Sequence, residues 1–206
     1  MTAIETRCSA VEIRTDRADI CAPPDDQHDW RAQTVIDQYS PEHQFVGSLL
    51  WLNAPQARPL LDLVPDTAIR RPRTRWAYQL IGDLVQAGAD PTPAAVLAAG
   101  RHQSARDALQ PDTPLTADQH KQLALYLFDA YAQAIAPAAA IRSYARAVLE
   151  EAYREALHRC GTRMQLLAAD GADSDDLAAH FTTIGDELAD PRRRAVTAAP
   201  PGPGPP

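Results

Sequence analysis

Residues 137–169 read PAAAIRSYARAVLEEAYREALHRCGTRMQLLAA, and this run decides the fold class. After Pro137 it holds no further proline and a single glycine, Gly161. Ala, Leu, Glu and Arg dominate, the residues that lose least on entering a helix. Apolar residues recur at Ile141, Tyr144, Ala145, Val148, Ala152, Ala156, Cys160, Met164 and Leu167, the 3–4 spacing of one helical stripe. Leu149, Tyr153 and Leu157 form a second row that widens it. The opposite face carries Arg142, Arg146, Glu150, Arg154, Glu155, Arg159 and Arg163, with Glu150–Arg154 and Glu155–Arg159 placed as i,i+4 pairs. At about 1.5 Å per residue the helix would be roughly 48 Å long, more than a small core covers. The pattern predicts a helix that projects and packs on a second helix or on a second copy of itself.

Working outward, Asp170, Gly171, Ala172 and Asp173 break the chain, and Ser174 is placed to cap a helix over 175–188. Leu177, Phe181, Ile184 and Leu188 fall on one face of it. Pro191, followed by Arg192, Arg193 and Arg194, is expected to end that helix. The Arg/Pro-rich tail, residues 191–206, is expected to be disordered. Upstream, Thr116 caps a helix through Ile135, with Leu123, Leu127, Ala130 and Ile135 in its apolar set. Residues 101–115 are polar and carry prolines, the composition of a loop. Thr92 and Pro93 start a short helix ending near Gly100. Residues 73–87 keep helical spacing through Trp76, Leu80, Ile81, Leu84 and Val85, and Gly88 is placed as the residue after the C-cap. A short helix is expected over 57–64. Ser40, Pro41 and Glu42 open the first, with Phe45, Val46, Leu49, Leu50 and Leu52 as its apolar face. Gly47 inside it suggests close packing. The sequence contains no credible strand. The expected architecture is all-α, a bundle of about seven helices over 39–190 with a protruding long-helix hairpin. Residues 1–38, with eight acidic residues against four arginines, read as a disordered acidic arm.

The whole chain has 206 residues and a net charge of −7, which argues against a molecule that binds nucleic acid through overall charge. No apolar run reaches membrane-span length, and the charged N-terminus lacks an apolar signal core, so no membrane contact and a cytoplasmic location are expected. Cys8, Cys21 and Cys160 are too few and scattered for a disulfide framework.

No phosphate-binding glycine loop is present; the single lysine, Lys121, follows Gln119 and His120. No nucleophile elbow or metal-ligand spacing occurs. His158 and Cys160 stand two apart on a helix and face different ways. Catalytic residues, cofactors and metals are therefore not expected, and no ATP hydrolysis or unwinding is predicted. Arg70, Arg71, Arg73 and Arg75 form the densest basic cluster. They suit a phosphate or acidic partner; a solvated loop is the more common use of such a run. The acidic trio Asp173, Asp175 and Asp176 is explained by helix capping.

The helix series resembles the N-terminal domain of DnaB-type replicative helicases. Residues 42–50, EHQFVGSLL, are similar to the family's opening E-x-x-V-L-G-x-L-L helix. Residues 69–78, IRRPRTRWAY, are similar to its F-Y-R-P-x-H-x-x-I-Y segment, with Ile69 in place of Phe and Thr74 in place of His. Leu84, Gly88 and Val96 fall where the family has L-x-x-x-G and D-x-x-x-V, and residues 143–150, SYARAVLE, look like Y-Y-A-x-I-V-x-E. The helix near 116–135 departs from the family's shorter G-G-x-x-Y-L region, and the RecA-like motor is absent from the sequence. The resemblance implies a non-catalytic interaction domain acting in DNA replication, with the hairpin as its contact. The helix over 175–188 is too short to shield the whole stripe of 137–169, which leaves apolar length for a second molecule. A homodimer is expected, with Val148, Ala152, Tyr153 and Leu157 at or near the contact, and the resemblance points to the same hairpin or to docking of a replicative helicase, primase or loader. The helicase-binding domain of primase has a similar fold and is the rival within that reading. A nucleic-acid-binding accessory protein using the Arg70–Arg75 cluster is the rival outside it.

Overall fold

In the computed structural model, residues 38–106 and 116–198 are described. The acidic arm, apart from Gln38, lies outside the described residues, as do residues 107–115 and the tail from 199 on.

Helices begin where the sequence supplies a cap. The Ser40 hydroxyl accepts from the His43 amide at 3.3 Å and opens α1, Pro41–Leu49. A reciprocal box between Asn53 and Gln56 opens α2, Ala54–Leu63. A 3-10 turn, Asp66–Ala68, leads to α3, Pro72–Gln86. Thr92 caps α4, Pro93–Ala99, and a Thr116–Gln119 box opens α5, Ala117–Ala132. The long helix α6, Pro137–Ala169, and α7, Ser174–Thr197, follow. These seven helices and the short turn are all-α, and no strand occurs among the described residues. At the end of α3, Gly88 takes φ 79°, and the Gly88 and Ala89 amides return to the Val85 and Leu84 carbonyls. That left-handed closure satisfies two carbonyls the helix would leave open.

The core is built around α1, which is buried from Glu42 to Leu49 and packs against α3, α5 and α6. Its apolar residues Phe45, Val46 and Leu49 are fully buried with Leu80 and Ile81 of α3, Leu123 and Leu127 of α5, and Leu149 of α6. Trp76, expected in the core, is buried there too, its indole N–H donating to the Gln103 carbonyl at 3.1 Å. Gly47 lets α1 approach the α5 backbone closely: a Cβ at this position would lie 2.2 Å from the Ala130 carbonyl oxygen of α5. Glu42, Gln44 and Ser48 of α1 are tolerated inside because their side chains find hydrogen-bond partners. The Gln44 amide donates to the Gln38 and Gln133 carbonyls, at 2.8 and 3.1 Å, and accepts from the Ile135 amide at 2.9 Å.

That glutamine holds the α5–α6 junction, where the chain bends by 114°. Ala136 takes φ 44°, ψ 56° there, a left-handed conformation that costs a residue with a Cβ about 1–2 kcal/mol. The following Pro137 disfavours the ordinary helical region for Ala136. As a result α5 ends at Ala132 rather than at the expected Ile135, and Ile135 is exposed instead of joining the apolar set.

The ends of two other helices differ from expectation. Asn53 starts α2 three residues before the expected Ala57. The larger difference is α7, expected to stop at Leu188 with the tail beginning at residue 191. It runs through Pro191 to Thr197, and its cap is Asp173, not Ser174. Proline removes one helical hydrogen bond, and contacts at that point offset the loss. Asp190 pairs with Arg193 and Arg194, and the Arg194 guanidinium donates to the Asp62 and Leu63 carbonyls at 3.0 and 3.1 Å. A cation thus meets the open C-terminal carbonyls of α2, where helix electrostatics favour it.

Candidate functional site

The hairpin of α6 and α7 is the outlying part of the fold. From Ile141 to Leu149 the inner face of α6 is buried, and α1 packs along α6. Beyond Leu149 only Cys160 of α6 and Ile184 of the helical part of α7 are buried. The buried Cys160 lies 3.9 Å from a Glu187 carboxyl oxygen, and Arg163 pairs with the same carboxylate at 3.0 Å. Leu166 and Phe181 are exposed, Phe181 at 71%, although Phe181 was expected on the inner face of its helix.

The four residues expected at a partner contact do not share one environment. Val148 is buried in the chain's own core, and Ala152 is partly buried against it. The physical reason is coverage: α1 packs on α6, and α7, at 24 residues, is longer than the short segment expected to shield the stripe. Tyr153 is half-buried, as Ala152 is, and Leu157 is 42% exposed, the most open of the four.

The arginine loop is organised by a residue that the sequence reading placed only as a first-turn acid. The buried Glu42 carboxylate of α1 accepts from the Arg70 and Arg71 amides at 2.9 and 3.3 Å. It fixes the loop backbone by two charge-assisted bonds. The side chains then spread to different elements. Arg70 pairs with Glu155 of α6 at 3.5 Å. Arg73 donates to Gln122 of α5 at 2.8 Å, and Arg75 donates to the Ile69 carbonyl at 2.6 Å. Arg71 is held as well. Arg70 and Arg73 thus tie the loop to two other helices, and the four side chains do not form one convergent basic patch.

Because Glu155 turns to Arg70, the expected Glu155–Arg159 pair does not form, and Glu150 bonds Arg146 at 2.6 Å more closely than Arg154 at 3.8 Å. Hydrogen bonding from Arg194 holds the Asp190 carboxyl below the usual carboxylate range. The signal for the Arg70–Glu155 pairing is absent from the sequence, since its partners come from distant elements.

Among the described residues, no group of three or more His, Cys, Asp or Glu side chains is placed to hold a metal ion. No single helix among them is long and apolar enough to cross a membrane. No protein-family model matches the chain, and no curated protein matches it. A solved structure does: the N-terminal domain of DnaB helicase from Mycobacterium tuberculosis is similar, with a TM-score of 0.55 and 22% sequence identity. The likeness covers 73% of this chain and 94% of that one. The chain therefore has the fold of the N-terminal domain of DnaB helicase.

Proposed function

We propose that the chain is a non-catalytic helical interaction module of DNA replication. It self-associates through the α6–α7 hairpin, or docks a replicative helicase, primase or loader there. The observation that carries this reading is the hairpin itself: a long projecting helix pair with little buried beyond Leu149 and with Leu157, Leu166 and Phe181 open to solvent. The likeness to a helicase domain supports the replication setting. With Val148 buried in its own core, Tyr153 and Leu157 anchor the contact, since aromatic side chains dominate interface energies. Nucleic-acid contact through Arg70, Arg71, Arg73 and Arg75 is the weaker reading, because those side chains are engaged within the fold and do not converge.

Sedimentation tests the first reading. At about 100 μM the wild type sediments as a dimer, and Tyr153→Asp with Leu157→Asp sediments as a folded monomer. A monomeric wild type at that concentration removes self-association. Co-sedimentation with the helicase, primase and loader of the source cell then decides whether the hairpin docks another protein.

A further inference from the structure

A cleft of about 400 Å³ opens between the 3-10 turn, α6 and the C-terminal part of α7. Leu149, Ala152 and Ala156 of α6, with Ala68 and Pro191, give it apolar walls. Three arginines from three helices, Arg75, Arg159 and Arg194, also line it, against one carboxylate, Asp190. Asp190 is already engaged with Arg193 and Arg194. Arg194 is held in place by the Asp62 and Leu63 carbonyls. Arg159 is exposed and has no hydrogen-bond or ion-pair partner among the described residues. The cleft continues along the hairpin into a second hollow of about 300 Å³ that shares Ala156, Arg159 and Pro191 and adds Arg163, paired with Glu187. The result is an elongated groove with four arginines against two carboxylates, on a protein whose net charge is −7.

We propose that this groove is a binding site for an acidic peptide segment of another protein, with Arg159 taking a carboxylate and the apolar floor taking an aliphatic side chain. Charge complementarity carries the choice of partner. Arginine forks bind carboxylates by paired hydrogen bonds, and a local cationic excess on an acidic molecule selects an acidic ligand rather than following the overall field. The length of the groove suits an extended chain better than a compact solute. The site is separate from the contact argued through Tyr153 and Leu157. Arg159 and Leu157 stand two residues apart on α6, about 200° around the helix axis, so they occupy opposite flanks.

The probe is a short fluorescein-labelled peptide of aspartates followed by leucines, with a free carboxyl terminus, read by fluorescence anisotropy on the full chain. Saturable binding that weakens at high salt is expected, as is no binding of the same peptide with asparagines for aspartates. Arg159→Glu should weaken binding by about tenfold or more, the scale of one lost charge-assisted contact. Arg159→Lys should recover part of it. Arg159 has no partner to lose, so thermal melting of both variants should match wild type, and binding is read on folded protein. Absence of saturable binding to the wild type overturns the proposal. So does binding that Arg159→Glu leaves unchanged, or an asparagine peptide that binds equally well. The Tyr153 and Leu157 double variant should bind the probe normally, so failure of self-association and failure of this site are read apart.

Discussion

Replacing Gly47 with alanine is the sharpest test of the fold, because helix propensity and packing push in opposite directions. By propensity alone, alanine for glycine inside a helix gains about 1 kcal/mol. Here the new Cβ would sit 2.2 Å from the Ala130 carbonyl oxygen and 3.0 Å from its carbon. Both atoms are backbone of α5 and cannot swing aside as a side-chain end could. Real Cβ contacts stay beyond about 3 Å, so α1 and α5 must separate by something near 1 Å, loosening contacts along the crossing. Overpacking of this kind costs about 1–3 kcal/mol and sometimes more, and a backbone clash belongs at the upper end. The net expectation for Gly47→Ala is a loss of about 2 kcal/mol or more after the propensity gain is set against it. Gly82 of α3 is the internal control: a Cβ there meets nothing within 4 Å. Gly82→Ala should stabilise by about 0.5–1 kcal/mol. Urea unfolding followed by tryptophan fluorescence gives both values on one scale. If Gly47→Ala proves as stable as the wild type, α1 and α5 do not cross in backbone contact, and the placement of the central helix is wrong.

Other perturbations test separate links. Leu80 is fully buried in the core, so Leu80→Ala should lose about 2–5 kcal/mol, and a loss well under 1 kcal/mol in the same urea assay would expose that face. Ala136→Gly should raise stability by about 1 kcal/mol, by relieving the left-handed conformation before Pro137; a drop in the melting temperature would contradict it. Arg194→Met keeps the aliphatic stem but removes the bonds to the Asp62 and Leu63 carbonyls. The expected result is faster amide hydrogen exchange in residues 191–197, with exchange in α1 unchanged.

What the sequence made legible was local. Ser40 with Pro41, Thr92 with Pro93, Thr116, Gly88 and Pro137 each act within a turn of their own position, and the structure uses each where the pattern placed it. Trp76 and Leu80 were readable as core from spacing alone. The differences arise where distant residues decide. Pro191 looked like a stop because its local cost is plain, whereas the bonds from Arg194 to α2 span more than a hundred residues. The stripe of α6 looked too long to cover because the sequence did not reveal that α1 would lie along it. Arg70 and Glu155 were each assigned to their own neighbourhoods, and they meet each other across the fold. Arg159 gains its significance only because its expected partner is taken.

The side chain of Gln44 also bears on how the domain assembles. Its amide joins residues 89 and 91 positions away, at Gln133 and Ile135, while another bond holds Gln38. Closing a loop of that length must precede the burial of α1, and loop-closure entropy opposes it. Helical proteins dominated by local contacts fold fastest; this one places its central helix early in the chain and its covering helices late. A fragment ending before α5 would keep α1 but leave the Gln44 amide without two of its partners and the face of α1 without its cover. The described helices should therefore fold as one kinetic unit, with α1 protected from exchange only after α5 and α6 have docked on it.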